Sequence, residues 1–325
     1  MSHASRRTLL ASALSLPFAP RAGAQQAWPA GQTLKITVPF APGGSVDAIA
    51  RLTQPGLQQR LGVNVIVENR AGAGGATGAT VVAKSHADGS NWLYVFDSHA
   101  VLPSLMELSF DAKKDLDPVM LIGTAPMVVA CHPSRPWKSF GDVIAAAKAK
   151  PDTITYGSVG NGSLGHLSMI LLGKKGGFLT RHVPYRGGGP AITDAVGGHI
   201  DLIIGSAALL TAQVEGGGLR PLLQTGAQRL KNLGQTQTAK EAGFPDFEAL
   251  AWWGVFAPAG TPKPVEARML AELDATFREP QVAKVLVETQ QITMLLRGPE
   301  EFRKFFEEQM TVWGAVVREN DIKPD

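Results

Sequence analysis

Three glycine- and serine-rich loops stand out in the sequence, because each follows an apolar, strand-like run and precedes a helical pattern. They span Pro39–Asp47, Ser158–His166 and Tyr185–Pro190. Glycine lacks a Cβ atom, so such a loop lets the backbone approach a ligand closely. The first N–H groups of the following helix are unpaired and lie at the positive end of its dipole. Three such loops predict a site for a carboxylate or phosphate that needs no arginine or lysine.

One of the loops also fits a different chemistry. Gly160–Gly165 matches G-x-G-x-x-G between a strand and a helix, which is the fingerprint of a dinucleotide-binding fold. No acidic residue lies at the expected distance of about 20 residues beyond the motif, although Asp194 lies somewhat later. A dinucleotide-dependent enzyme is therefore the weaker interpretation.

A hydrolase is the other enzymatic alternative, since Ser163 lies just before His166 and Ser45 just before Asp47. The sequence has no G-x-S-x-G nucleophile elbow, and a serine at a helix start more often caps the helix or donates to a ligand. The seven histidines show no metal-binding spacing. We therefore expect no catalytic residue, no metal and no cofactor, and among the histidines His166 is the best candidate for the ligand site.

The loops must be held by an α/β framework, because short apolar runs alternate with helical patterns along the chain. The pattern predicts mixed, mainly parallel sheets. The helix after the first loop contains Pro55, where we expect a kink or a restart. Val119–Ile122 and Met127–Cys131 are predicted as two separate strands, and Ser139 is predicted to cap the helix that follows it.

The order of the elements predicts two lobes with hinge crossovers. Lobe 1 is expected to contain residues 33–124 and 254–325, and lobe 2 residues 125–253. The helix Glu300–Arg318 has an apolar face and is expected to pack back on the first lobe. Loops from both lobes would then face one cleft across a hinge.

The N-terminus has the order of a secretory signal peptide, with Arg6-Arg7, a short apolar run and Ala22-Gly23-Ala24. Ser5–Leu10 also resembles a twin-arginine signal, so the export route stays open. We expect residues 1–24 to be removed and the mature chain to be soluble, because no later run is long enough to span a bilayer.

The net charge of +3 comes from this N-terminal segment, which contains three arginines and no acidic residue. The mature chain is thus close to neutral and lacks the basic excess that nucleic-acid binding needs. Cys131 is the single cysteine of the sequence, so no internal disulfide is expected.

Several segments together are similar to one known family. They are Val38–Asp47, Val67–Gly75, Ala87–Gly89, Tyr156–Ser163, Val183–Gly187, Glu241–Gly243, Trp252–Gly254, Pro258–Pro262 and Trp313. Each segment alone is a turn signature, but in this order they resemble the Bug family, the solute receptors of tripartite tricarboxylate transporters.

The resemblance implies a two-lobed periplasmic binding protein of the type II-like fold. Such a receptor captures a small organic acid, delivers it to membrane transporter subunits, works as a monomer and catalyses no reaction. The resemblance places the ligand's carboxylate at the first loop, with lobe 2 closing over it. The ligand-binding residues expected are Phe40, Ala41, Pro42, Gly43, Gly44, Ser45, Asp47, Asp97, Ser98, Ser158, Gly160, Asn161, Gly162, Ser163, His166, Tyr185, Gly187 and Ser206.

Asp97 departs from the family pattern, in which Thr or Ser is frequent at this position. A charged carboxylate at the rim of the cleft would repel a second carboxylate on the ligand unless it were protonated or paired. Asp97 is either a solvated residue that caps the following turn, or the partner of an amine or ring N–H on the ligand.

Overall fold

The structure is a computed structural model that describes residues 28–324. The predicted signal peptide lies outside the described residues. Within them, strands and helices alternate, which agrees with the predicted α/β class. The strands are β1 Leu34–Val38, β2 Val65–Asn69, β3 Asn91–Phe96, β4 Leu116–Cys131, β5 Thr155–Ser158, β6 Arg181–Pro184, β7 Leu202–Ser206, β8 Arg220–Gln224, β9 Leu250–Pro258 and β10 Thr293–Arg297.

The helices lie between these strands and at the C-terminus. They are α1 Ser45–Leu61, α2 Ala76–Ala83, α3 Leu102–Leu105, α4 Phe140–Ala149, α5 Leu164–Gly176, α6 Gly188–Val196, α7 Ala207–Glu215, α8 Lys263–Phe277, α9 Pro280–Lys284 and α10 Pro299–Glu319. Short 3₁₀ turns span Ala73–Gly75, Asp97–Ala100 and Lys231–Leu233, and one π-helical turn spans Val285–Thr289.

The strands form a mixed sheet in the order β2-β1-β3-β9-β4-β7-β5-β6, and β8 and β10 each pair with β4 as well. Parallel pairs lie towards the two ends, where β1 joins β2 and β3, and β5 joins β6 and β7. The central strands β4 and β9 pair antiparallel with their neighbours. The parallel part of the sheet is therefore divided into two blocks that β4 and β9 connect.

The long strand β4 runs through both blocks. The sequence predicted two strands here, but the structure has one strand of 16 residues. From Leu116 to Pro126 it pairs with β9, and from Met127 to Cys131 it pairs with β7. We call the part built on β1–β3, β9, β10 and the first half of β4 lobe 1, and the part built on β5–β8 and the second half of β4 lobe 2.

The chain returns from lobe 2 to lobe 1 beside the point where β4 changes partner. The N–H of Met127 donates to Oγ1 of Thr225 at 2.9 Å, and this hydroxyl donates to the carbonyl of Ala249 at 2.5 Å. Two crossing segments side by side form the connection expected of a hinged, two-lobed protein. The residue boundaries assigned to the lobes from the sequence stay predictions.

Two local predictions have different outcomes. Helix α1 continues from Ser45 to Leu61 through Pro55 without a restart. Pro55 lies on the exposed side, where water can bond the carbonyl that loses its partner. The predicted cap of α4 is confirmed, since Ser139 and Asp142 form a capping box.

Helix α10 packs on lobe 1, as its apolar face predicted. Phe302 and Phe306 are buried on it, and their rings lie 4.9 and 5.2 Å from that of Phe256. Trp252 is buried against the same two phenylalanines. Among the helices of residues 28–324, none combines the length and the apolar character needed to cross a bilayer.

Candidate ligand-binding cleft

The first loop, between β1 and α1, is held in shape by Asp47. This carboxylate accepts hydrogen bonds from the N–H of Gly43 at 3.0 Å, from Arg51 at 3.0 Å and from Asn69 at 2.9 Å. Burial opposes ionisation, yet these bonds hold the pKa of Asp47 below its ordinary value. Both carboxylate oxygens are thus engaged with the protein, so Asp47 positions the loop.

The loop lies directly against the third loop, which joins β6 to α6 in lobe 2. The N–H of Ala41 donates to the carbonyl of Arg186 at 3.0 Å. The contact is too close for side chains, because a Cβ atom on Gly189 would lie 2.2 Å from the carbonyl oxygen of Pro42. Gly187 has a φ of +141°, which favours glycine. The lobes are therefore closed on one another at these two loops.

A small cavity, which we call the cleft cavity, lies beside this contact. Its volume is about 20 Å³, in a measure in which one water needs roughly 10–15 Å³. A small organic acid therefore enters only when the lobes open, and the cavity must be wider when they close again around it. The walls come from both lobes and consist of Phe40, Gly44, Ser45, Val46, Phe96, Met127, Val159, Gly188, Gly205, Ser206 and Leu209.

Three helices begin at the cleft cavity. Gly44 and Ser45 start α1, Gly188 starts α6, and Ser206 precedes the first residue of α7. Their unpaired N–H groups and dipoles favour a negative charge at this point. The rest of the wall is mainly apolar, so the arrangement suits a carboxylate on an apolar body.

Two hydroxyl groups complete the polar part of the wall. Oγ of Ser45 accepts a hydrogen bond from Nε1 of Trp253 at 3.1 Å, which leaves its own hydrogen free for a ligand. Oγ of Ser206 is buried and has no partner among the described residues. An unpartnered buried hydroxyl costs free energy, which a ligand oxygen at this place would recover.

A second cavity of about 20 Å³ lies on the other side of Phe40 and Val159, which line both. We call it the glycine cavity. Backbone forms much of its wall, through the turn at Gly72–Gly75 in lobe 1 and Gly160 in lobe 2, and Tyr185 and Arg186 complete it. The hydroxyl of Tyr185 donates to Asp194 at 2.7 Å, which fixes the ring.

The second predicted loop is tied together internally. Oγ of Ser163 donates to the carbonyl of Gly160 at 2.7 Å, and the N–H of Gly162 donates to Nδ1 of His166 at 3.1 Å. Ser158 bonds Nε2 of His182 at 2.7 Å. The rings of His166 and His182 stack with their centres 3.9 Å apart.

Burial keeps both stacked histidines neutral at physiological pH. It lowers the pKa of His166 to about 4 and that of His182 to about 3. Ser158, Ser163 and His166 thus make hydrogen bonds that order the loop, and their contact with a ligand stays a prediction. Asn161 and Gly162 face lobe 1, against Gly74 and Leu105 respectively.

Asp97 is buried, with 4 % of its surface exposed, so the interpretation as a solvated residue is wrong. Its Oδ1 accepts a hydrogen bond from the N–H of Leu164 in lobe 2 at 3.2 Å, and Oδ2 has no partner in the described part of the chain. Burial raises the pKa of Asp97 to about 8. Neighbouring Ser98 donates to the carbonyl of Gly74 at 3.0 Å.

The structure thus brings some of the predicted residues together and adds others. Phe40, Gly44, Ser45 and Ser206 line the cleft cavity, and Phe40, Gly160 and Tyr185 line the glycine cavity. The sequence reasoning missed the apolar wall and Gly188. Of these, Gly188 stands in a run of three glycines within a predicted loop, which was a usable signal. The missed residues are Val46, Phe96, Met127, Val159, Gly188, Gly205 and Leu209.

The family model described as tripartite tricarboxylate transporter family receptor matches residues 49–322. The chain belongs to this receptor family. BugT of Bordetella pertussis is 34% identical over 296 residues, covering 89% of this chain and 90% of BugT. The Bug-family resemblance seen in the sequence is therefore confirmed.

Two solved structures of Rhodopseudomonas palustris proteins superpose on this receptor. Rpa4515 with adipate has a TM-score of 0.86 and 29% identity, over 91% of this chain and 99% of its own. MatC with bound malate has a TM-score of 0.83 and 28% identity, over 89% of this chain and 99% of its own. Periplasmic binding protein BugD superposes with a TM-score of 0.86 and 27% identity, over 90% of this chain and 99% of its own. The receptor therefore has the two-lobed fold of periplasmic binding proteins.

Proposed function

We propose that this receptor captures a small organic acid in the periplasm and delivers it to the membrane subunits of a tripartite transporter. The observation that carries the proposal is the meeting of three helix N-termini, those of α1, α6 and α7, at one cavity between the lobes. Their N–H groups, with the hydroxyls of Ser45 and Ser206, bind the carboxylate.

The similar receptors support an acid as the ligand, since one carries adipate and another malate. The apolar side chains around the cavity, such as Phe40, Phe96 and Leu209, contact the body of the acid. Because the cleft cavity is close to the size of one water, the lobes open to admit the acid and then close over it.

Export to the periplasm rests on the N-terminal signal sequence, and a monomer is the form in which we expect the receptor to work. Binding leaves the acid chemically unchanged. The pair Ser158 and His182 has the contact distance of a nucleophile and its base, but no side chain in residues 28–324 bonds Nδ1 of His182 to orient it. This partly buried pair therefore orders the loop and does not support hydrolysis.

A thermal-shift screen against malate, adipate, citrate, benzoate and nicotinate tests the proposal. An acid at 100 times its Kd stabilises the folded protein by about 2.7 kcal/mol, so Tm rises by several degrees. Mass spectrometry of the recovered acid must show it intact. No shift with any of the organic acids, or conversion of one of them into product, would contradict the proposal.

A further inference from the structure

The carboxyl group of Asp97 connects the two lobes. Asp97 begins the 3₁₀ turn after β3 in lobe 1, and its Oδ1 accepts from the N–H of Leu164, the first residue of α5 in lobe 2. When the lobes separate, Leu164 moves away with lobe 2 and water reaches the carboxyl group. Asp97 therefore changes from a buried to a solvated environment whenever the cleft opens.

No positive charge compensates Asp97 in the closed cleft, as far as the described residues extend. The strands β3 and β9, helix α3 and the turn Ala73–Gly75 carry no charged side chain. On α10, Arg303 is paired with Asp117, Arg318 donates to Ser104, and Lys304 is exposed. Lys174 and Lys175 are exposed in the last turn of α5.

The histidine rings on the two elements that the Asp97–Leu164 hydrogen bond joins are also uncharged at neutral pH. His99 lies on the same turn as Asp97, and His166 lies on α5. Burial lowers the pKa of His99 to about 3 and that of His166 to about 4. Oδ2 of Asp97 has no hydrogen-bond partner among residues 28–324 either. An ionised carboxylate in this place would be buried without a counter-charge, which is strongly unfavourable.

We propose that Asp97 takes up one proton from solvent when the lobes close and returns it when they open, so that ligand capture by this receptor is coupled to proton binding. The inference rests on the proposed function, because the ligand drives the closure. In the neutral form Oδ1 still accepts from Leu164, while Oδ2 becomes a donor. Asp97 then tolerates an acidic ligand that its charged form would repel.

The burial of the closed state supports this assignment. It raises the pKa of Asp97 to about 8, whereas a solvated aspartate has a pKa of about 3.9. Between these values the open cleft holds a charged Asp97 and the closed cleft a neutral one. Closure therefore binds close to one proton at pH 6 to 7, and affinity falls up to about tenfold per pH unit as the pH rises.

Titration calorimetry with malate, adipate and benzoate tests the inference. Repeating each titration at pH 7 in two buffers of different ionisation enthalpy gives the number of protons taken up per acid bound. We expect about one proton for the wild type and none for Asp97→Asn, whose amide can still accept from Leu164. The exposed-site variant Glu308→Gln should behave as the wild type.

Wild-type binding without proton uptake, or equal uptake in Asp97→Asn, overturns the inference and leaves the receptor function intact. If Asp97→Asn does not fold, the wild-type measurement together with its affinity at pH 6, 7 and 8 still decides. If none of the three acids binds, the proposed function is contradicted for them. The coupling of closure to proton binding is then measured on the ligand-free wild type by small-angle X-ray scattering. A radius of gyration that decreases as the pH falls supports the role of Asp97, and an unchanged radius of gyration refutes it.

Discussion

The carboxylate of Asp47 joins three parts of lobe 1, namely the N–H of Gly43, the guanidinium of Arg51 and the amide of Asn69. Asp47→Asn keeps the shape of the side chain but removes its charge. We expect the free energy of unfolding in urea to fall by about 1–3 kcal/mol, because charge-assisted hydrogen bonds at a buried acceptor are lost.

A matched control for Asp47 is available on α8. Asp274 bonds Arg278 at 2.7 Å with the same i,i+4 spacing, but this pair is exposed. Surface pairs of this kind contribute about 0–1 kcal/mol, so Asp274→Asn should change little. Equal effects of the two variants would show that Asp47 forms a surface ion pair of no special importance.

We expect the hydroxyl of Ser206 to contribute to ligand binding but not to the stability of the fold. Its hydroxyl is buried at the cleft cavity and has no partner among the described residues. Ser206→Ala should leave Tm unchanged or slightly higher and weaken binding of the screened acid about threefold to tenfold, the value of one hydrogen bond of about 1 kcal/mol. Ser168→Ala is the control for calorimetry, since Oγ of Ser168 on α5 is buried, has no partner in the described part of the chain, and is not part of the cavity walls. Equal affinity of all three proteins would exclude Ser206 from the site.

The stacked histidines give a pH dependence of stability. His182 is neutral in the folded protein because burial lowers its pKa to about 3, while in the unfolded chain its pKa is about 6.5. Its contribution is fully present above about pH 6.5 and is lost as the pH falls below that value, at up to about 1.4 kcal/mol per pH unit.

Substitution of the ring isolates this contribution from those of other groups. His182→Gln keeps a nitrogen near Ser158 but does not titrate. Urea unfolding at pH 7.0, 6.0 and 5.0 should show that the wild type loses stability more steeply than the variant. Parallel pH profiles would mean that His182 can accept a proton in the folded state.

At the level of the elements, the contact between the first and third loops determines whether the cleft can close. Gly189 lies in the first turn of α6, where alanine is well tolerated by the helix itself. Its added Cβ would meet the carbonyl oxygen of Pro42 at 2.2 Å, and that oxygen belongs to the other lobe. Gly189→Ala should therefore fold normally, bind the acid at least about tenfold more weakly, and keep a larger radius of gyration with ligand.

The control for this variant is Gly141→Ala in α4, where the nearest atom to an added Cβ is Oγ of Ser139 at 3.5 Å. It makes the same chemical change without touching the other lobe. If Gly189→Ala contracts on binding and keeps wild-type affinity, the closed contact of the two loops does not describe the bound state.

The elements also show which parts of the fold the sequence could predict. Loops followed by helices were visible because glycine and serine mark them. That β4 is one continuous strand could not be predicted, because a glycine at 123 and a proline at 126 are typical of the ends of strands. In the structure Gly123 is required by β10, because a Cβ there would lie 2.4 Å from the carbonyl of Thr293. The strand partner of Gly123 is Met294, which comes so much later in the chain that the sequence around Gly123 carries no sign of it.

Across the whole molecule, the two-lobed architecture followed from the order of motifs, but the wall of the cleft did not. Phe96 ends β3 in lobe 1. Leu209 belongs to α7 in lobe 2, a helix that was not predicted from the sequence. These two side chains meet because the lobes close. Their apolar character does not distinguish them from core residues, so the sequence alone could not assign them to the cleft wall. Asp97 was recognised as unusual, yet its burial depends on α5 of the other lobe.

The position of the bound acid decides whether the three helix N-termini form the binding site. This position can be measured in a crystal structure of the receptor bound to the acid that gives the largest thermal shift. We predict that one carboxylate lies at the starts of α1, α6 and α7, within hydrogen-bond distance of their N–H groups and of the Ser206 hydroxyl, with the lobes closed over it. An acid bound elsewhere, or one whose carboxylate points away from these helices into solvent, would contradict the proposed site.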